Sequence, residues 1–132
     1  MESVPEDFHD LFKRKAYASF ATLLPDSTPH VTPVWIDYDG EHILVNTAKG
    51  RQKEVNVRRR PEVGVLVLDP EDPYRYVSVQ GRVAEITQEG AVEHIDELTQ
   101  RYMGVDEYPN KGEEVGPRVI IKVRPEKVIT SG

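Results

Sequence analysis

Tyr74-Arg75-Tyr76-Val77-Ser78-Val79-Gln80-Gly81-Arg82-Val83-Ala84-Glu85-Ile86-Thr87 is the stretch on which the fold turns. Val77, Val79 and Val83 fall on one side, with Tyr76, Ser78, Gln80 and Arg82 on the other. That alternation with period two predicts a long strand with one buried face. Gly81 inside it predicts a bulge or a close backbone approach.

Working outward from there, Asp69-Pro70-Glu71-Asp72-Pro73 is a turn by composition, and the wholly apolar run at 63–68 before it reads as a buried strand. After the long strand, Ala91, Ile95, Leu98 and Tyr102 recur at helical spacing within residues 88–103, and Gly104 makes a C-cap. Residues 105–116 are polar and glycine-rich, a loop, and residues 118–129 read as the last strand.

Toward the N-terminus, Pro61 stops a helix expected over residues 51–60. Asp39-Gly40 signals a hairpin between strands at 30–38 and 42–47, and Pro33 places the first of these at a sheet edge or at a bulge. A further strand is expected over 16–24. Ser3 and Glu6 have the form of a capping box, opening a helix to about residue 13 that buries Phe8, Leu11 and Phe12. Six strands joined by short turns, with few helices, imply a mainly β domain: a closed or split antiparallel barrel spanning residues 1–132.

Composition narrows the function. Apolar residues make up 38% and charged residues 30%, as in a globular protein. With no cysteine, disulfides and thiolate chemistry are excluded. The N-terminus does not read as a signal peptide, and no apolar run approaches the ~18 residues of a membrane span, so no membrane partner and a cytoplasmic location are expected. A net charge of −6 argues against nucleic acid as partner. His9, His30, His42 and His94 lack metal-ligand spacing, so they are read as surface or structural histidines and no metal site is expected. There is no serine-nucleophile elbow and no glycine-rich nucleotide loop, and no catalytic residue stands out. If the protein is an enzyme, a cofactor carries its chemistry.

The basic residues are uneven, six of the 17 lying between Lys49 and Arg60. The run Asn46-Thr47-Ala48-Lys49-Gly50-Arg51-Gln52-Lys53 passes from a strand end into a helix start, where free N–H groups and the helix dipole attract an anion. Arg51 suits bidentate phosphate binding and Lys53 adds a point charge. Two readings fit: an anion site, or a helix start that carries solvated basic residues. Cations there are unfavourable by about 0.3–1 kcal/mol each unless an anion offsets them.

At this segment the chain resembles the pyridoxamine-phosphate-oxidase-like, flavin-binding split barrels, most nearly their short branch that uses the deazaflavin coenzyme F420. The resemblance is carried by Phe20-Ala21-Thr22-Leu23 before a Pro-Asp turn, by Pro29-His30-Val31-Thr32-Pro33-Val34-Trp35, and by Asn46-Thr47. Arg51, Lys53, Asn56, Arg59 and Pro61 follow at matching spacing, then the strand from Tyr76 to Val83 and the closing strand. It covers nearly the whole chain apart from residues 105–116.

The resemblance implies a six-stranded antiparallel split barrel with a few short helices, homodimeric, with cofactor in clefts between subunits. It assigns the cofactor phosphate to Arg51 and Lys53, with Lys49 as helper. Val34, Trp35 and Ile36 would flank the ring system; Asn46, Thr47 and Ala48 would line the ring and its side chain; Tyr74 and Gln80 would come from the other subunit. Taken singly, Trp35 reads as a core or interface aromatic, Gln80 as a solvated strand residue and Asn56 as a brace for the loop. The implied activity is hydride transfer from reduced coenzyme F420 to an unsaturated small molecule. An FMN-dependent reductase or oxidase and a non-catalytic cofactor-storage protein are the alternatives. Vitamin B6 oxidation is disfavoured, because the pyridoxal-phosphate site and the longer C-terminal extension of true pyridoxamine-phosphate oxidases have no counterpart here.

Overall fold

A computed structural model describes residues 2–109 and 116–132. Of the loop expected over 105–116, residues 110–115 lie outside the described residues. The chain opens with a 3-10 helix at Glu6–Phe12, which buries Phe8, Leu11 and Phe12 on one side. The expected capping box at Ser3 does not form. Pro5, held extended at φ −57° and ψ 143°, is the N-cap and makes no side-chain cap bond.

Seven strands follow, interrupted by two helices: β1 Ala18–Leu23, β2 Pro29–Val34, β3 Asp37–Tyr38, β4 Ile43–Ala48, α1 Gln52–Arg59, β5 Glu62–Asp69, β6 Asp72–Thr87, α2 Ala91–Met103 and β7 Arg118–Ser131. They form one sheet in the order β2-β1-β5-β6-β7-β4-β3, with antiparallel pairings throughout.

The strand count is seven rather than six because the segment expected to be one strand over 30–38 divides at Trp35 and Ile36. Upstream of them β2 pairs with β1; downstream β3 pairs with β4. β2 and β3 are thus opposite ends of the sheet, joined by two residues. A flat sheet of seven strands is about 29 Å wide, whereas the three Cα steps from Val34 to Asp37 reach at most about 11 Å. The sheet therefore curls into a split barrel, closed at this seam by the chain itself. Pro33 sits on β2, an edge strand whose one sheet neighbour is β1, the position expected of a proline within a sheet.

The concave side holds the main core, where Phe20, Val45, Val65, Val67, Val77, Val79, Ile121 and Val123 meet the 3-10 helix. Helix α2 lies against β4 and β7, with Ala91 packed among Leu44 and Ile120. Helix α1 is tied to β1 by the Asn56 side-chain amide, which donates to Thr22 Oγ1 at 3.0 Å. Gly81 stands where the β6–β7 register shifts, opposite Pro125. A Cβ on Gly81 would lie 2.7 Å from Val123 Cγ1 and 2.9 Å from the Arg124 carbonyl oxygen. Gly81→Ala should therefore destabilise the fold by about 1–3 kcal/mol, the usual cost of overpacking. Urea unfolding measures it; an unchanged midpoint would mean that the two longest strands separate freely there.

Candidate functional site

The seam, the end of β4, the start of α1 and the start of β7 converge on a cavity of about 230 Å³. Three cations line it: Arg51, Lys53 and Arg118. No carboxylate among the described residues lines it with them. Lys53 is half-buried, and its ammonium pKa is lowered by desolvation first and then by the charges of Arg51 and Arg118. Like charges gathered in a partly dry cavity are unfavourable until an anion joins them.

Local sequence explains the placing of two of these cations. Arg51 is the N-cap of α1 and makes no side-chain cap bond, so the first N–H groups of the helix have no cap from it. The turn before it is braced by the buried carboxylate of Glu54, which accepts the Gly50 N–H at 2.9 Å and pairs with Arg58. Gly50 has a φ of +98°, a conformation suited to glycine, and so lets the chain turn from β4 into α1.

The opposite wall is aromatic. Trp35 stacks on Tyr102, with ring centroids 5.0 Å apart and planes 4° apart, and meets Tyr108 edge-on. Tyr102 is itself fixed: its hydroxyl donates to the Ala16 carbonyl at 2.6 Å and accepts the Ile36 N–H at 3.1 Å. Leaving strand pairing at the seam frees that N–H, and the hydroxyl satisfies it. Tyr17 and Val34 complete this wall, and Arg118 lies over the Tyr108 ring at 5.0 Å.

Of the residues singled out from sequence, Val34, Trp35, Asn46, Thr47, Arg51 and Lys53 line the cavity. Ile36 and Ala48 are fully buried and do not line the cavity. Lys49 is exposed on the turn, its N–H donating to the Pro117 carbonyl at 2.8 Å, and it does not line the cavity. Tyr74, 82% exposed, and Gln80 lie on β6 away from this chain's cavity. Sequence reasoning passed over Tyr17, Pro33, Ile95, Tyr108 and Arg118. Arg118 arrives through the β4–β7 register, where it faces Ala48, and no local signal announces that pairing.

Among the described residues no helix is long and apolar enough to cross a membrane. A family model described as pyridoxamine 5'-phosphate oxidase matches residues 4–132. A solved structure named F420 reductase is 36% identical, with a TM-score of 0.82, covering 96% of this chain and 98% of its own. A conserved hypothetical protein from Mycobacterium tuberculosis is 28% identical, with a TM-score of 0.76, over 97% of this chain and 84% of its own. General Stress Protein 26 from Bacillus anthracis, 20% identical over 96% and 92% of the two chains with a TM-score of 0.70, shares the fold. No curated protein matches the chain.

Proposed function

The chain belongs to the pyridoxamine 5'-phosphate oxidase family, and on that footing we propose that it is an oxidoreductase using a phosphate-bearing flavin-type cofactor, coenzyme F420, bound between two copies of the chain. The observation that carries this reading is the convergence of Arg51, Lys53 and Arg118 on one cavity beside a rigid aromatic wall. Three cations gathered on one cavity fit a phosphoryl group, and the flat face of Trp35 fits a planar ring system. The residues present therefore suit such a cofactor. The 36% identity to an F420 reductase favours the deazaflavin; the family relationship supports FMN as the second reading.

Once bound, such a cofactor supplies two-electron chemistry, passing a hydride to an unsaturated small molecule. The chain's own part is to neutralise the phosphate with Arg51, Lys53 and Arg118, and to hold the ring against Trp35 and Val34. Tyr17 and Tyr108 are the hydroxyl-bearing aromatics at the cavity from which a proton could be delivered.

Two observations support a shared site. At about 230 Å³ the cavity is smaller than the roughly 300–1,000 Å³ of most small-molecule sites. In addition, Leu68 pairs with Tyr76 and Ser78 with Ile129 across the sheet, and Leu68 and Ile129 are 41% and 46% exposed. An outer sheet face bearing such residues suits a second copy, which would bring its own Tyr74 and Gln80 toward the cleft.

Trp35 is the single tryptophan, so its fluorescence reports on the cavity wall. Titration with oxidised F420 and, separately, FMN should quench it, F420 at the lower concentration, and light scattering should report a dimer. Reduced F420 should then be oxidised in the presence of an enone or quinone from a small panel. If neither cofactor quenches Trp35 or stays with the protein on ultrafiltration, the reading fails.

A further inference from the structure

We propose that Asn46 and His94 are positioning residues, a relay anchored on Asp37 that orients the Arg118 guanidinium at the cavity. This rests on the reading above only in taking a cofactor phosphate to be what Arg118 meets.

Hydrogen-bond polarity carries the argument. Arg118 Nε can only donate, so the Asn46 atom it meets at 2.9 Å is the carbonyl oxygen Oδ1. The Ala91 carbonyl can only accept, so the Asn46 atom 2.8 Å from it is Nδ2. Two partners of opposite, fixed polarity thus determine the amide's orientation without reference to the histidine. The remaining Asn46 N–H then faces His94 Nδ1 at 3.1 Å, which must present a lone pair. The imidazole proton is accordingly on Nε2, which donates to Asp37 Oδ2 at 3.0 Å.

Asp37 is fixed in turn. Burial pushes its carboxyl up, but hydrogen bonds from His94, Lys13 and the Tyr38 N–H, with the charge of Arg101, outweigh this and keep it ionised. An ionised Asp37 selects the His94 tautomer, the tautomer selects the Asn46 orientation, and the amide oxygen holds Arg118. Strand register makes the last step reachable. Arg118 pairs with Ala48, and Asn46 is two residues back on the same face of β4, a diagonal neighbour. With Nε bonded to Asn46 and the guanidinium over Tyr108, the plane of the group is set. His94, at 7% exposure, does not line the cavity, and both amide hydrogens of Asn46 are engaged within the protein. His94 therefore acts through Asn46 and Arg118, and Asn46, itself at the cavity wall, turns its amide oxygen to Arg118.

The test uses the full chain and two readouts. In nitrogen-15 spectra of the cofactor-free protein, the Arg118 Nε–H signal, assigned by its loss in Arg118→Lys, should be protected from exchange. His94→Leu should abolish that protection. His94→Gln should restore it, because an amide again offers Asn46 an acceptor and Asp37 a donor. In the second readout His94→Leu should weaken F420 binding about tenfold, but less than about twofold in an Arg118→Ala background, the signature of coupled residues. Should His94→Leu fail to fold, Asn46→Ala removes the same acceptor from Arg118 and is read in the same way. An Arg118 signal indifferent to these changes, or an equal loss of affinity with and without Arg118, overturns the relay. Failure of the unaltered protein to bind F420 or FMN would instead sink the cofactor reading, while the spectra still decide the relay.

Discussion

Asp37→Asn is expected to lower the stability of the protein by about 3 kcal/mol at neutral pH, read from urea unfolding. The Asp37 carboxylate accepts from Lys13 Nζ at 2.8 Å, Arg101 Nη2 at 3.1 Å and His94 Nε2 at 3.0 Å. It thereby ties the segment after the 3-10 helix, the seam and α2 together. Removing one partner of a buried ion pair costs about 3–5 kcal/mol, mostly through the charge left behind. The lower end applies because the Lys13 side chain is 53% exposed and can return to water, whereas that of Arg101 is 21% exposed and is also held by the Phe12 and Ile36 carbonyls. A loss below about 1 kcal/mol would contradict the network.

The same carboxylate makes an acid-side prediction. Its folded-state pKa is held below the usual aspartate value by the His94, Lys13 and Tyr38 hydrogen bonds, against the upward push of burial. A depressed carboxyl pKa contributes stability that is complete above the unfolded value of about 3.9. That contribution drains away as pH falls through the folded value. The variant carries no such term, so the gap between the two proteins should narrow as pH is lowered below about 4. A gap that widens there would reverse the assignment.

Arg51→Ala/Lys53→Ala is expected to weaken F420 binding by about 3 kcal/mol or more, on the order of a hundredfold, at low ionic strength. Each single variant should cost roughly 1.5–3 kcal/mol, the range for hydrogen bonds to charged groups. The double variant should fall short of the sum. The Lys53 ammonium is disfavoured first by desolvation and then by Arg51, so losing Arg51 lets Lys53 hold its proton more readily. Without cofactor the double variant should be at least as stable as the original, since repulsion has been relieved and neither residue belongs to the core. Unchanged affinity would remove the phosphate site; a collapse of stability would mean that these cations are structural.

Much of this architecture was legible from local pattern. The alternation around Val77 and Val79 predicted the long central strand, the bulge at Gly81 followed from a glycine inside it, and the Asp39-Gly40 hairpin followed from turn chemistry. The strand-to-helix turn with its basic residues was legible for the same reason: strand end, Gly50, Arg51 and helix start are contiguous, so their geometry follows from neighbours a few residues away. Local pattern missed the break at Trp35, because a run such as His30 to Tyr38 suits a strand whichever partner each half takes.

From sequence alone, then, came most of the strands, the helices and a basic turn between β4 and α1; each depends on residues within a turn or a pleat of one another. Tertiary structure alone decided that β2 and β3 lie at opposite ends of a curled sheet, that Arg118 joins Arg51 and Lys53, and that Asp37 governs Asn46 through His94. Those relations link positions dozens of residues apart, through strand register and the closing of long loops. The mutual repulsion of Arg51, Lys53 and Arg118 exists only once the folded chain has brought the charges together.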